Sequence, residues 1–296
     1  MNLLKYASSL RDSLNKTGDY GYVNAIPKGE HIPKLIHQCF DSSNLHPGIQ
    51  QNIEHLKKLN PGWEYRFYDD ADMDVYIQKH FPALYPVFLK IDPAYIAARV
   101  DFFRYLLIYN EGGVYLDIKS SISKPLDEIL RNDDQYILSH WPNEPGQVYV
   151  NTGIHHSLPN PHGEFQQWHI MAVKGHPFLK AVIENVCHNI KLYNPFIHHT
   201  GRWGVIRVTG PIAYTLAINP ILDQHPHRLV RNHYDVQLIY SIFSHSQVPM
   251  HHSVFKKKHY SAVKLPVVRQ PIVLQFLFLV FQPVKDGLIH LLKKLK

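Results

Sequence analysis

The sequence predicts an α/β protein with a mixed, mostly parallel central sheet. Three observations carry this expectation. Strand, helix and strand patterns follow one another within residues 34–68, the order of a βαβ unit with a parallel strand pair. A long apolar helical stretch passes through Gly112-Gly113 directly into another apolar strand. The chain, 296 residues long, is 45% hydrophobic and 19% charged, which is enough apolar material for a core of ordinary size.

The elements follow in order. Lys34-Leu35-Ile36-His37-Gln38-Cys39-Phe40, introduced by Ile32-Pro33, is a short apolar run suited to a buried parallel strand. Pro47 to Leu59 reads as a helix, ended by Asn60-Pro61-Gly62. Trp63 to Tyr68 alternates aromatic and charged residues as a strand and stops at Asp69-Asp70. Pro93 stands in the first turn of a helix that runs through Tyr109, and Glu111-Gly112-Gly113 ends it with Schellman-like chemistry. Val114 to Ile118 is the strand that starts at once. Gly175-His176-Pro177 precedes a helix from Phe178 to Leu192, and Thr209-Gly210-Pro211 precedes a shorter one from Ala213 to Ile218. There is no internal repeat and no low-complexity linker. The βα alternation lies in the first half, and the second half is rich in His, Pro and loop residues.

The formal net charge of +7 suits an anionic partner: nucleic acid, phospholipid or a phosphorylated small molecule. No nucleic-acid motif accompanies the charge, so nucleic acid is not expected as a partner. Cys39 and Cys187 form no CxxC pair and read as buried thiols of a reducing compartment. Residues 1–24 lack the signal-peptide pattern, because Lys5, Arg11, Asp12 and Lys16 interrupt the apolar residues. The longest apolar run, Ile272 to Phe281, lies between Pro271 and Pro283 and is shorter than the roughly 18 residues of a spanning helix. The expected location is cytoplasmic.

Asp101 and Arg104 are three apart on a strongly apolar helix and so share a face. Charges on a buried surface must be paired or used, and an intrahelical pair capping the core satisfies the first condition as well as a site does. Asp117 ends an apolar strand, and in an open parallel sheet ligands bind beyond the carboxyl ends of the strands. A carboxylate there can reach a sugar, a ribose or a metal; the bland alternative is an N-cap or turn residue.

The segment Ala98-Arg99-Val100-Asp101-Phe102-Phe103-Arg104-Tyr105, followed by Glu111-Gly112-Gly113-Val114-Tyr115-Leu116-Asp117-Ile118-Lys119, resembles glycosyltransferase family 32, the DXD-motif sugar transferases. Ile32 to Gln38, Asn60 to Tyr65, Gly175 to Leu179 and Thr209-Gly210-Pro211 resemble further landmarks in the same order, so the resemblance covers residues 32–215. It implies a Rossmann-like GT-A fold and a nucleotide-diphosphate sugar donor. It also implies a hexose transferred to a hydroxyl of a glycan or glycolipid with retention of configuration. By position it implies that Asp101 and Arg104 grip donor-sugar hydroxyls. Asp117 is then the first Asp of DXD, touching ribose, sugar or a metal, and His37 and Gln38 lie where the first strand meets the nucleoside. The family's divalent cation, manganese or magnesium, would fall to Asp117 and a late His. His259, beside Lys256, Lys257 and Lys258, is the candidate for that His and for diphosphate binding.

One position departs from the family. The second Asp of DXD is Lys119, and an ammonium repels a divalent cation at contact distance. Lys119 either stands in for the metal against the diphosphate or points away while Asp117 and a His hold the ion. The same departure is the support for the alternative reading, a non-catalytic carbohydrate- or nucleotide-binding protein. Trp141, Trp168 and Trp203 are candidate sugar-stacking rings, Arg202 and Arg207 candidate acceptor contacts, and Glu64, Asp69 and Asp70 candidate bases. The near-adjacent pairs His155-His156, His198-His199, His225/His227 and His251-His252 lack zinc-site companions and read as structural or surface residues. Residues 1–30 are read as an N-terminal extension, 31–265 as the transferase domain, and 266–296 as an amphipathic tail. The basic end of that tail suits a peripheral site on an anionic membrane surface.

Overall fold

The computed structural model describes residues 14–243 and 260–281. Its centre is a six-stranded sheet with the order β2-β1-β3-β6-β5-β7. The strands are β1 Leu35–Cys39, β2 Glu64–Tyr68, β3 Gly113–Leu116, β5 Tyr136–His140, β6 His169–Ala172 and β7 Arg228–Asn232. β1 pairs in parallel with β2 and β3, and β5 with β7. β6 runs antiparallel to both β3 and β5. The expected mixed, mostly parallel sheet is therefore present. A two-stranded sheet of β4 Ser121–Ile122 and β8 Leu238–Ile239 stands beside it.

The helices used below are α1 Pro47–Leu59, α2 Asp70–His80, α3 Ile96–Glu111, α4 Pro177–Leu192, α5 Gly201–Val208 and α6 Pro211–Ile218. α3 packs on α4, and α4 on α6. Every residue of α3 from Ala98 to Tyr109 is buried, and fully burying each of Phe102, Phe103, Leu106 and Leu107 contributes about 1.5–3 kcal/mol. α3 begins three residues after Pro93, because Asp92 first closes a turn: its side chain accepts from Ala94 N and its carbonyl from Tyr95 N.

The end of α3 differs from the expected Schellman geometry. Gly112 has φ 74° and ψ −167°, extended rather than left-handed helical, so the chain leaves the helix directly into β3. Gly113, at φ 103°, lies so close to β1 that a Cβ would stand 2.8 Å from the Leu35 carbonyl oxygen. Only glycine permits both the dihedral and the approach.

Asp69 does more than stop β2: its side chain caps α2 by accepting from Ala71 N and Asp72 N. The second half also contributes two of the six strands, β6 and β7, which its loop-rich composition hides. Residues on both sides of the main fold are packed into it. Leu14 and Val23 are buried, and Glu184 accepts from the backbone of Tyr20, Tyr22 and Val23. Val267 and Val268 are buried, with Asp92 N donating to Val267 O.

Among the described residues, the helical run Gly201–Gln224 is long and apolar enough to cross a membrane, which the sequence reading did not anticipate. Most of its apolar stretch is buried inside the molecule. A separate apolar helix, Ile272–Phe281, is shorter.

Candidate functional site

The sheet brings several strand ends to one edge, where a cleft of about 530 Å³ opens. Cys39, Phe40 and Asp41 reach it from the end of β1, Asp117 to Lys119 from the end of β3, and Trp141 from the end of β5. β6 runs the other way, so its leading residues Gln167 and Trp168 arrive at the same edge. Asp101 and Arg104 enter from α3, and Arg202 from α5.

Asp101, Arg104, Asp117 and Lys119 form one connected cluster. The Arg104 guanidinium is 3.1 Å from Asp101 Oδ1 and 3.1 Å from Asp117 Oδ1. It also donates to the Gln167 carbonyl at 2.8 Å and lies 4.7 Å from the Tyr115 ring centre. Asp101 accepts from Gln167 Nε2 and Thr209 Oγ1, so each of its oxygens has a donor. Tyr115 OH donates to Asp117 Oδ1, and Lys119 Nζ donates to Asp117 Oδ2 at 3.1 Å. The arrangement is buried yet paired, as a charged cluster in a protein interior must be. Burial works to raise the Asp117 pKa, but Arg104 and Lys119 outweigh it and hold the carboxyl below its usual range. Burial likewise disfavours the Lys119 charge, and Tyr240 and Asp117 more than offset it, raising its pKa above the ordinary lysine value.

Lys119 points inward. Its ammonium lies 4.5 Å from the Tyr240 ring centre as well as on Asp117. Its backbone carbonyl accepts from Ile242 N, and the neighbouring Ser120 Oγ donates to Tyr240 O. These contacts pin the turn after β3.

A divalent cation does not fit this donor set. Both Asp117 oxygens already face cations, one a guanidinium and one an ammonium. Among the described residues, no group of three His, Cys, Asp or Glu side chains is placed to hold a metal. His259 and Lys256 to Lys258 lie outside the described residues.

Two sequence candidates stand away from the cleft. His37 is fully buried, its Nε2 3.1 Å from the Gly112 carbonyl and its Nδ1 3.3 Å from Tyr68 OH. Burial pushes its pKa down to about 4, so the ring is neutral packing between β1 and the α3–β3 junction. Gln38 is also fully buried; it donates to the Asp117 carbonyl and accepts from Tyr65 OH. It orients the Asp117 backbone without lining the cleft. Of the candidate bases, Glu64 pairs with Arg66 and Asp69 caps α2, and neither reaches the cleft, nor does Asp70.

Of the three tryptophans that are candidate stacking rings, Trp141 and Trp168 line the cleft, while Trp203 does not. Trp141 and Trp168 each pack edge-on against Tyr240, and Tyr149 packs on Trp141, giving an aromatic wall beside Lys119. Arg202 lines the cleft and Arg207 does not.

Sequence reasoning missed a second polar pair. His155 Nε2 is 2.8 Å from Glu164 Oε2, and Trp141 Nε1 donates to Glu164 Oε1 at 2.9 Å. Both residues of the pair line the cleft. They come from loops without periodicity, and the only local signal is the neighbouring glycine Gly163, at φ 81°. Cys39 lines the cleft but is no thiolate, since burial pushes its pKa up to about 12.

Residues 47–136 match the family described as glycosyltransferase sugar-binding region containing DXD motif. That span holds the whole Asp101–Lys119 cluster, and the resemblance stated from the sequence is the one this match finds. The chain is 25% identical over 171 residues to inositol phosphoceramide mannosyltransferase 2 of Schizosaccharomyces pombe, covering 58% of this chain and 43% of that protein. It is 30% identical over 192 residues to the initiation-specific alpha-1,6-mannosyltransferase of Candida albicans, covering 60% and 48%. The chain thus spans less than half the length of these relatives. Among solved structures it aligns with PaToxG Glycosyltransferase at 18% identity and a TM-score of 0.42, covering 75% of this chain and 79% of that one.

Proposed function

We propose that this protein is a glycosyltransferase that binds a nucleotide-diphosphate sugar in the cleft and moves its hexose to a hydroxyl of a glycan or glycolipid. The observation that carries the reading is the junction of Asp101, Arg104 and Asp117 at the strand-end cleft, inside the matched sugar-binding region. Polar side chains held rigidly by one another can meet sugar hydroxyls without reorganising, which is how a site favours the transition state. The aromatic wall of Trp141, Trp168 and Tyr240 offers ring faces for a pyranose or a base.

In the transfer, the bond between the sugar C1 and the diphosphate breaks as C1 joins the acceptor oxygen. The hydroxyl proton passes to the departing diphosphate. Retention follows the family resemblance. The relatives' names make mannose the first sugar to test and an inositol-containing sphingolipid or a glycan the first acceptors. A lipid acceptor would sit at a membrane surface, and we propose helix Ile272–Phe281 as the segment that meets it.

Screening nucleotide-sugars by thermal shift tests the donor assignment, since a ligand at a hundred times its dissociation constant adds about 2.7 kcal/mol to stability. A stabilising nucleotide-sugar that is then consumed with an acceptor is the expected result. Stabilisation without transfer to any acceptor would return the protein to the non-catalytic binding reading.

A further inference from the structure

We infer that Lys119 replaces the divalent cation of this site, so that the protein binds the diphosphate of its donor without metal. The inference rests on the donor assignment above and extends it to how the leaving group is held.

Charge balance is the first argument. A carboxylate at position 119 would set three carboxylates, Asp101, Asp117 and residue 119, against the single Arg104, leaving the cluster two charges negative. Such a cluster repels a diphosphate and needs a divalent ion to accept one. With lysine the cluster holds two carboxylates and two cations, all within one chain of contacts, and is neutral. An anion can then approach with no bridging metal.

Geometry is the second argument. The two oxygens of Asp117 are engaged by Arg104 and Lys119 at 3.1 Å each, which occupies the positions an ion would use. Lys119 nonetheless lines the cleft, and only one of its three N–H donors is directed at Asp117. The Tyr240 ring steadies the ammonium from one side. With one N–H on Asp117 and a second engaged by the Tyr240 side chain, the third is directed to a phosphate oxygen.

A second positive charge stands in the same cleft. Arg202 of α5 makes no ion pair with any other described residue. It and Lys119 both lie close enough to act on the Tyr260 hydroxyl, which also lines the cleft. With the Lys119 charge balanced by Asp117, the Arg202 guanidinium adds net positive charge to the cleft that an incoming diphosphate can meet. The guanidinium also offers a planar fork for two phosphate oxygens.

The test is equilibrium binding of GDP and of UDP by calorimetry, in excess EDTA and again with manganese, for the wild type, Lys119→Met and Lys119→Asp. The wild type should bind one of these nucleotides in EDTA with an affinity that manganese leaves unchanged. Lys119→Met, similar in length but uncharged, should bind about tenfold or more weakly, as expected for one lost charge-assisted hydrogen bond. Lys119→Asp should bind only with manganese. Wild-type binding that disappears in EDTA and returns with manganese would overturn the inference while leaving the donor assignment intact. Full-affinity binding by a folded Lys119→Met would overturn it too. No binding of either nucleotide under any condition would remove the donor assignment and this inference together. Should Lys119→Met fail to fold, the wild-type comparison with and without EDTA still decides.

Discussion

Asp117 joins everything in the cleft: its carboxylate meets Arg104, Tyr115 and Lys119, and its backbone is held by Gln38 and Trp168. Asp117→Asn keeps the shape and removes the charge. The folded variant should lose transfer activity on the order of 10²-fold, comparable to removing one preorganised electrostatic contact. Near-wild-type turnover in a protein with unchanged circular dichroism would remove Asp117 from the site. The residues legible in the sequence were those whose spacing forces them together: Asp101 and Arg104 on one helical face, and Asp117 at a strand end. His37 and Gln38 illustrate the opposite. They lie inside β1, one and two residues before its last, and the strand delivers Cys39, Phe40 and Asp41 to the cleft instead. Knowing that a strand leads to a site does not say which residue crosses its end.

The α3–Gly112-Gly113–β3 unit sets the position of the whole cluster, because it carries Asp101 and Arg104 on its helix and Asp117 just past its strand. A Cβ at Gly113 would stand 2.8 Å from the Leu35 carbonyl oxygen and 3.0 Å from Leu35 Cβ, neither of which can yield without moving β1. Gly113→Ala adds this clash to a φ of 103°. It should cost about 1–3 kcal/mol for the dihedral alone and lower both the melting temperature and transfer. An alanine variant as stable and active as the wild type would mean that β1 and β3 need not approach so closely. This unit was the clearest part of the sequence. The strands β5 and β6 were not, because Tyr136–His140 and His169–Ala172 are short and place Ser139, His140 and His169 at buried positions where apolar residues are expected. Ser139 Oγ meets Gln166 and His169 Nε2, partners further along the chain, while His169 Nδ1 is buried with no hydrogen-bond partner among the described residues.

Taken as one molecule, the protein buries several histidines in neutral form. Burial holds His37 and His233 down to about 4, and His169 and His176 down to about 3. Their unfolded-state value is near 6.5, so between pH 6.5 and 4 the unfolded chain binds protons that the folded chain refuses. Folding stability must fall as pH drops through that window, by up to about 1.4 kcal/mol per pH unit for each such histidine. Urea midpoints should decline steadily from pH 7 to pH 5, and a flat profile would contradict the buried neutral state. The surface carries a second expectation. In helix Ile272–Phe281, Ile272, Val273 and Phe276 are more than 60% exposed, while Phe278 packs on Phe196. The full chain should sediment with anionic liposomes, less so at high salt, and deletion of residues 271–296 should abolish this. Equal pelleting after the deletion would place the membrane contact elsewhere or nowhere.

Local patterns in the chain were sufficient to read the α/β class, the helix-glycine-strand core, the Asp101–Arg104–Asp117 grouping and the presence of a lysine where the family has an acid. The class and the helix-glycine-strand core follow from forces acting within a few residues: helical periodicity, glycine's freedom at positive φ, and alternation along a strand. The joint role of the three charged residues and the departure at Lys119 are what the family resemblance implies. The direction of the Lys119 side chain could not be read that way, and both orientations remained open in the sequence. It is settled by Asp117 and by Tyr240, a residue 121 positions further along whose ring the β4–β8 pairing brings alongside. The Glu164–His155 pair and the antiparallel β6 between two parallel sets depend in the same way on distant segments. Such contacts are fixed by how the chain closes on itself, because their energy arises only after loops of many residues have brought the partners together.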